Sequence, residues 1–440
     1  MKTHMYATVS VMVVLAAAFG QAGAQAQIGT ADSLTLERAV RMAIADHPLI
    51  HQAEQGIRGA EARVGVSRSV YYPDVYISGA YTRLEPVASM EIPNVGSFDF
   101  YPANNYDFHL GVRQTIYDFG RNTEGVRLAE SGRRAAGDNL EIVRSDLAYR
   151  TISVFNAILI LERTILVIDE QIATLEKHLA VNAKMIQAGT ATDFDSLTTE
   201  VRIADARNGR VDAVRALEDG EIALRRLTGL PDDRPIFLKG TLEAEPMEID
   251  RDSVIAVAQS GRPELVMSRE GEESAKIRLR LASLGNRPSL ALSVTSGFKN
   301  GYVPDLDKLE ANVAAGVQLM VPVFTGFRTR REREEAEAGL RAAEARTADI
   351  ERRVTAEVEQ AIAGVRSSRI KIENSRTQVR QAEASLSRAE ARFEAGVVTN
   401  LDLLDVQAAL SQAKLIHLRS IYEYMLSLNA LDRAMGRKVW

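Results

Sequence analysis

The 440-residue chain contains no cysteine, which excludes disulfides, thiolate metal sites and a lipid anchor on an N-terminal cysteine. Any membrane attachment must come from the fold itself. Proline is scarce, at 12 residues, and aromatics make up only 6%, while Ala, Arg, Glu and Leu dominate long stretches. That balance favours extended helices over a compact β or α/β enzyme. A basic excess is also missing: 54 Lys and Arg stand against 59 Asp and Glu, for a formal charge of −5. Without a broad cationic field, nucleic acid is not an expected partner. Long apolar runs are short too. Past the N-terminus the best candidate, Thr151 to Leu161, has 11 uncharged residues, against the roughly 20 that a membrane-spanning helix needs.

What is present begins with an export signal over residues 1–26. Lys2 is followed by an apolar run from Tyr6 to Phe19 and by the small residues Ala22-Gly23-Ala24-Gln25-Ala26, with cleavage favoured after Ala26. An exported chain without a spanning helix is periplasmic, secreted or a barrel.

Slid against itself, the chain repeats in two registers. At an offset of 215, Pro48 falls on Pro263, Gly56 on Gly271 and Pro73 on Pro288. At an offset of 207, Tyr117 falls on Phe324, Arg121 on Arg328, Gly189 on Gly396, Asp195 on Asp402 and Gly229 on Gly436. The difference of 8 is confined to the segment between the second proline and the aromatic, so the first copy carries a longer insertion there. The expected units are residues 27–230 and 249–440, joined by a linker at 231–248.

Each copy reads alike. A short helix (Leu34 to Asp46; Ile249 to Ser260) breaks at an X-Pro step, and a second runs to about Tyr71 or Asn286. The period then changes to two: Val75, Ile77, Gly79 and Tyr81 alternate with smaller or polar residues, as do Leu290, Leu292 and Val294. Return strands follow through Tyr106, Phe108, Leu110 and Val112, and through Val313, Ala315, Val317 and Leu319. The hairpins are expected at about 73–117 and 288–323. Their strand length, about 10 residues, suits a tilted transmembrane strand. Between Tyr71 and Phe119 lie 11 of the chain's 25 aromatics, the density of an interfacial girdle. Two hairpins cannot close a barrel, so a membrane setting demands several subunits. A soluble two-hairpin domain fits the hairpins equally well.

The long helices discriminate. From about Asp118 to Ala188, and again from Gly326 to Ala395, the chain runs without proline, long enough for rods of about 105 Å at 1.5 Å per residue. Such rods need partners. Ile168, Ile172, Leu175, Leu179 and Ile186, and in the return helix Leu401, Leu404, Ala408, Ser411, Leu415, Leu418, Tyr422 and Met425, take the alternating spacing of coiled-coil seams. Gly189 and Gly396 end the outgoing helices, with Asp193 and Asn400 expected to start the returns.

The duplication, the strand-to-helix junctions Gln114-Thr-Ile-Tyr-Asp-Phe-Gly and Val321-Pro-Val-Phe-Thr-Gly-Phe, and the turn from Arg392-Phe-Glu-Ala-Gly to Asn400-Leu-Asp-Leu-Leu-Asp405 resemble the TolC family of outer-membrane efflux proteins across essentially the whole mature chain. The resemblance implies a mainly α fold with a small transmembrane β part: a homotrimer whose subunits give four strands each to one 12-stranded β-barrel and their helices to a periplasmic α-barrel. It also implies an exit channel docked on a periplasmic adaptor and an inner-membrane pump, serving efflux or type I secretion. No cofactor is expected.

Asp402 and Asp405 lie three apart just past the second turn; the resemblance places them, and Asp195 in part, at the periplasmic constriction of the tunnel. Thr198 replaces the second acid in the first copy. The same residues are equally the acids of a helix's first turn, where they complement its dipole. The family pattern ties the closed entrance with an aromatic hydroxyl and an arginine, whereas Phe393 and Val398 stand here, so that latch cannot form. Gly189, Thr192 and Leu197, with Gly396, Thr399 and Leu404, resemble the adaptor-docking tips and also read as simple helix capping. Arg328, Arg330, Arg331 and Arg333 crowd the start of the second long helix, where the dipole disfavours positive charge, so contact with anionic headgroups of outer-membrane lipid is expected alongside a plain solvated face. His47 and His51 have metal-ligand spacing but no third ligand, and capping is expected. The chain shows no catalytic or phosphate-loop signature. The alternative class is a periplasmic coiled-coil adaptor or scaffold, which would need one helical hairpin where this chain has two.

Overall fold

A computed structural model describes residues 33–94, 96–232, 235–242 and 248–440. The export signal at 1–26 and part of the 231–248 linker lie outside the described residues. The order is β1 (Leu34–Thr35), α1 (Leu36–Ala45), α2 (Pro48–Arg68), β2 (Asp74–Arg83), β3 (Ser89–Ile92), β4 (Gly96–Asp99), β5 (Asn104–Tyr117), α3 (Arg121–Gln187), α4 (Asp193–Thr228), β6 (Leu238–Lys239), α5 (Arg251–Gly261), α6 (Pro263–Ser283), β7 (Ser289–Lys299), β8 (Glu310–Met320), α7 (Arg328–Glu394) and α8 (Asn400–Met435).

The two copies match in length: α2 and α6 have 21 residues each, α3 and α7 have 67, and α4 and α8 have 36. Proline stands at the first position of both α2 and α6, where its missing N–H costs nothing. The longer connector of the first copy holds the extra ribbon β3–β4. At each strand-to-helix junction two successive residues take positive φ, Phe119 and Gly120 in one copy, Gly326 and Phe327 in the other. Asp118 supports the first of these bends, accepting hydrogen bonds from the backbone N–H of Gly120 and Asn122.

The strands β2-β5-β7-β8 form one antiparallel sheet, in which β5 and β7 join the copies and β2 and β8 are the edges. The register puts Ile77 opposite Leu110, Phe108 opposite Phe298, and Leu292 opposite Val317, all on one face. Ser78, His109, Thr295 and Asn312 share the other. The apolar face is the open one in the single chain, with Ile77 83% and Val313 73% exposed.

The four helices α3, α4, α7 and α8 form two long hairpins, and α3 also packs along α8, joining one hairpin to the other. The densest apolar core lies midway along them. Val354, Val358, Val365, Tyr424 and Leu431 meet Ala258 and Leu265 from the short helices, and Phe155, Ile158 and Leu224 meet Leu34 and Ala39. The C-terminal Val439 and Trp440 pack beside Tyr149 and Ile152, whose neighbour Val40 comes from α1. By length and composition a window of α3, with mean hydropathy 1.8, does pass as a membrane span, which runs against the sequence expectation. Ile152, Phe155 and Ile158 in that helix are buried in these clusters, and Leu147 in another with Ile50 and Ala53, so its apolarity belongs to the core.

Candidate functional site

The two hairpin tips are built by the same chemistry. Gly189 and Gly396 both take φ of +71°, a left-handed state that costs glycine little. Their N–H groups donate to Ile186 and Phe393, and the next residues, Thr190 and Val397, donate to Met185 and Arg392, closing each outgoing helix with paired reverse bonds. The return helices start at Asp193 and Asn400, as expected, and Thr192 and Thr399 are their caps. A hydroxyl accepts from the third backbone N–H of the helix while the third side chain reaches back, and only Thr has that partner at the right spacing.

Those third residues are Asp195 and Asp402. Asp195 Oδ2 accepts from Thr192 N at 2.9 Å and from its Oγ1 at 2.7 Å; Asp402 Oδ2 accepts from Thr399 N at 2.9 Å and Oγ1 at 2.7 Å. The hydroxyl and amide donors at Thr399, with Arg392 nearby, hold the Asp402 carboxyl below its ordinary range. Asp405, one turn on, faces the other hairpin and pairs with Arg202 of α4 at 3.2 Å. The two acids therefore have different surroundings: Asp402 holds the helix start, and Asp405 bridges the hairpins. Leu197 and Leu404, equivalent by sequence, also part ways. Leu197 is 59% exposed, whereas Leu404 is 1% exposed among Leu175, Ile203 and Ala206. Phe194, Val397 and Leu401 are exposed as well, so within the single chain Leu401 is not covered as the expected seam would have it.

Just above the tips a buried polar network joins the hairpins. Asn400 Oδ1 accepts from Asn182 Nδ2 at 3.1 Å and lies 2.5 Å from His178 Nε2, which must therefore be the donor. Asn400 Nδ2 donates to the Asp195 carbonyl at 3.1 Å, and Asn182 Nδ2 also reaches Thr199 Oγ1 at 3.1 Å. Phe393 is buried edge-on against His178, with ring centroids 5.2 Å apart. Phe393, at the position where the resemblance implied an aromatic hydroxyl, is thus an apolar ring on a buried histidine. This network was missed in the sequence, although it left one signal: Asn182 follows Ile168 and Leu175 at intervals of seven, a polar residue on a seam position. Ion pairs continue the contact outward, Lys414 to Glu170 at 2.8 Å across the hairpins and Arg207 to Glu176 at 2.7 Å within one.

Arg328, Arg330, Arg331 and Arg333 lie at the other end of α7. Each pairs with an acid on the following turn: Arg328 with Glu332, Arg330 and Arg331 with Glu334, and Arg333 with Glu337. The helix itself thus supplies the charge that offsets its unfavourable dipole. His47 Nδ1 accepts from Leu49 N at 3.2 Å, and His51 pairs with Asp46 at 2.7 Å. Among the described residues no group of three or more His, Asp or Glu is placed to hold a metal.

Paired helical hairpins of about 100 Å rising from an amphipathic sheet with an exposed apolar face define a class: a membrane duct with a long periplasmic stalk, rather than a one-hairpin adaptor. The sequence model of one family, described as "Outer membrane efflux protein", matches residues 39–230 and 254–437, and the chain belongs to that family. It is 23% identical over 405 residues to Protein CyaE of Bordetella pertussis, covering 91% of this chain and 83% of that one. With Outer membrane protein TolC of Vibrio cholerae it shares 22% over 397 residues, or 89% and 88% of the two chains. Its fold is like that of the outer membrane protein VceC from Vibrio cholerae, with a TM-score of 0.77 at 18% identity over 92% of this chain and 97% of that one. The protein is an outer-membrane efflux channel of the TolC type, reaching into the periplasm.

Proposed function

We propose that three copies close their four-stranded sheets into one barrel, edge β2 of each on edge β8 of the next, and that the hairpins assemble below into a passive tunnel. One observation carries this reading: the sheet exposes a continuous apolar face and has two unpaired edges, and lipid tolerates no open edge. The channel supplies no energy and catalyses no reaction; cargo enters from an inner-membrane pump through a periplasmic adaptor. The tips are the docking surface, with Leu197 exposed on it, Leu404 supporting it from beneath, and Gly189, Thr192, Gly396 and Thr399 shaping the turns. Asp405 and the capped Asp402, with Asp195 of the first copy, ring the periplasmic entrance and favour cations. The Arg328, Arg330, Arg331 and Arg333 side chains stay more than half exposed after pairing and have N–H groups left for headgroup phosphates.

The test is single-channel conductance of the mature protein in planar bilayers, with cross-linked mass read on the same preparation. A trimeric mass and a small cation-selective conductance that loses its preference in Asp402→Asn/Asp405→Asn are expected. A folded preparation that is monomeric and never conducts would overturn the reading.

A further inference from the structure

Ribbon β3–β4 sits at the end of the sheet opposite the helices, which is the extracellular end, and only the first copy has it. Its register pairs Met90 with Phe98 and Glu91 with Ser97, and Phe100 N donates to the Ala88 carbonyl. Strand alternation therefore sorts Ala88, Met90, Ile92, Phe98 and Phe100 onto one face and Ser89, Glu91, Ser97 and Asp99 onto the other. The four large residues of the apolar face are 36% to 52% exposed. A two-stranded ribbon is marginal in water on its own, so such a face needs cover.

We propose that this face lies in the outer leaflet of the outer membrane, giving a chain without a lipidated cysteine an anchor on the extracellular side. The inference rests on the barrel reading above. Its apolar face extends the chemistry of the sheet's lipid face: Tyr81 and Tyr106 stack at 5.2 Å where the strands end, and Tyr101, exposed, leads from the ribbon back into β5. Aromatics at that level mark the membrane interface. The alternative cover is the ribbons of the other two subunits, meeting over the mouth of the pore. With the apolar face in lipid, Glu91 and Asp99 turn to water.

The absence of cysteine makes the test clean. Met90→Cys, Phe98→Cys, Glu91→Cys and the strand control Ile77→Cys are each labelled with a small environment-sensitive fluorophore. The assembled channel is then reconstituted into phosphatidylethanolamine and phosphatidylglycerol vesicles doped with a doxyl-labelled phospholipid. Labels at residues 90 and 98 are expected to lose emission to the doxyl lipid as strongly as the label at 77, while the label at 91 is quenched instead by aqueous iodide. Iodide quenching at both 90 and 98 overturns the anchor. Protection of both from lipid and from iodide alike also overturns it, in favour of ribbons packed over the mouth. If the label at 77 is itself untouched by lipid, the barrel reading has failed and the anchor falls with it. Phe98→Ser/Phe100→Ser, labelled at Met90→Cys, gives a second reading: its emission is expected to shift red with the trimer intact, and no shift counts against lipid contact.

Discussion

Asn400→Ala removes the centre of the network between the hairpins. In the folded chain its side chain receives hydrogen bonds from His178 Nε2 and Asn182 Nδ2 and gives one to the Asp195 carbonyl. The carbonyl keeps the Thr199 hydroxyl at 2.8 Å, and Asn182 keeps Thr199 Oγ1, whereas His178 is left with a buried N–H and no acceptor. Asn182 is already short of one partner, since its Oδ1 is buried without one. One orphaned donor and one weakened bond amount to about 2–3 kcal/mol per subunit, at about 1–3 kcal/mol for a buried unsatisfied group and about 1 for a hydrogen bond. Because all three bonds of Asn400 run from one hairpin to the other, the loss falls on the contact that holds the tips together. The assay is paired: thermal unfolding of the trimer in detergent, and open probability in a planar bilayer. A lower melting temperature with a larger or more often open conductance is expected, and Asn400→Asp, which can still accept from His178 and Asn182, should restore most of both. Unchanged stability and unchanged conductance in Asn400→Ala would refute the claim that these bonds couple the hairpins.

Further outcomes follow from particular features of the fold. Gly396→Ala places a side chain where φ is +71° with open space around it, so only backbone strain opposes it, about 1–2 kcal/mol, read as a lower melting temperature with an unchanged fold. Asp402→Asn keeps an acceptor for the Thr399 cap and removes the charge, so it should weaken cation preference without the loss of stability expected in Asp402→Ala. Because the donors at Thr399 hold Asp402 below its ordinary range, its stabilising effect is full at neutral pH and is lost only as pH falls through that lowered value; a melting curve against pH in wild type and Asp402→Asn measures it. Arg262→Met strips buried Arg262 from Glu264 at 3.0 Å and Glu357 at 2.7 Å, both partly exposed, and should cost about 2 kcal/mol in denaturant unfolding. Replacing Arg328, Arg330, Arg331 and Arg333 with Gln should lower insertion into anionic vesicles; equal insertion would leave those residues as helix-stabilising pairs alone.

The sequence by itself determined the repeat, the helix and strand types and the tips, because each rests on local chemistry: proline at a helix start, period-two alternation, glycine at a left-handed turn, a Thr and an Asp at capping distance. It marked the starts of α4 and α8 at Asp193 and Asn400, where the helices begin; the structure adds that Thr192 and Thr399 close a full capping box with Asp195 and Asp402. Tertiary structure alone decided what depends on which helices meet. Leu197 and Leu404 occupy the same place in the repeat, yet only Leu404 is covered, since α3 packs on α8 and the two hairpins are therefore not equivalent in space. The same asymmetry brings His178, Asn182 and Asn400 together from positions more than 200 residues apart and turns Asp405 toward Arg202. Periodicity reports the face a residue occupies; the partner on that face is set by packing between distant segments.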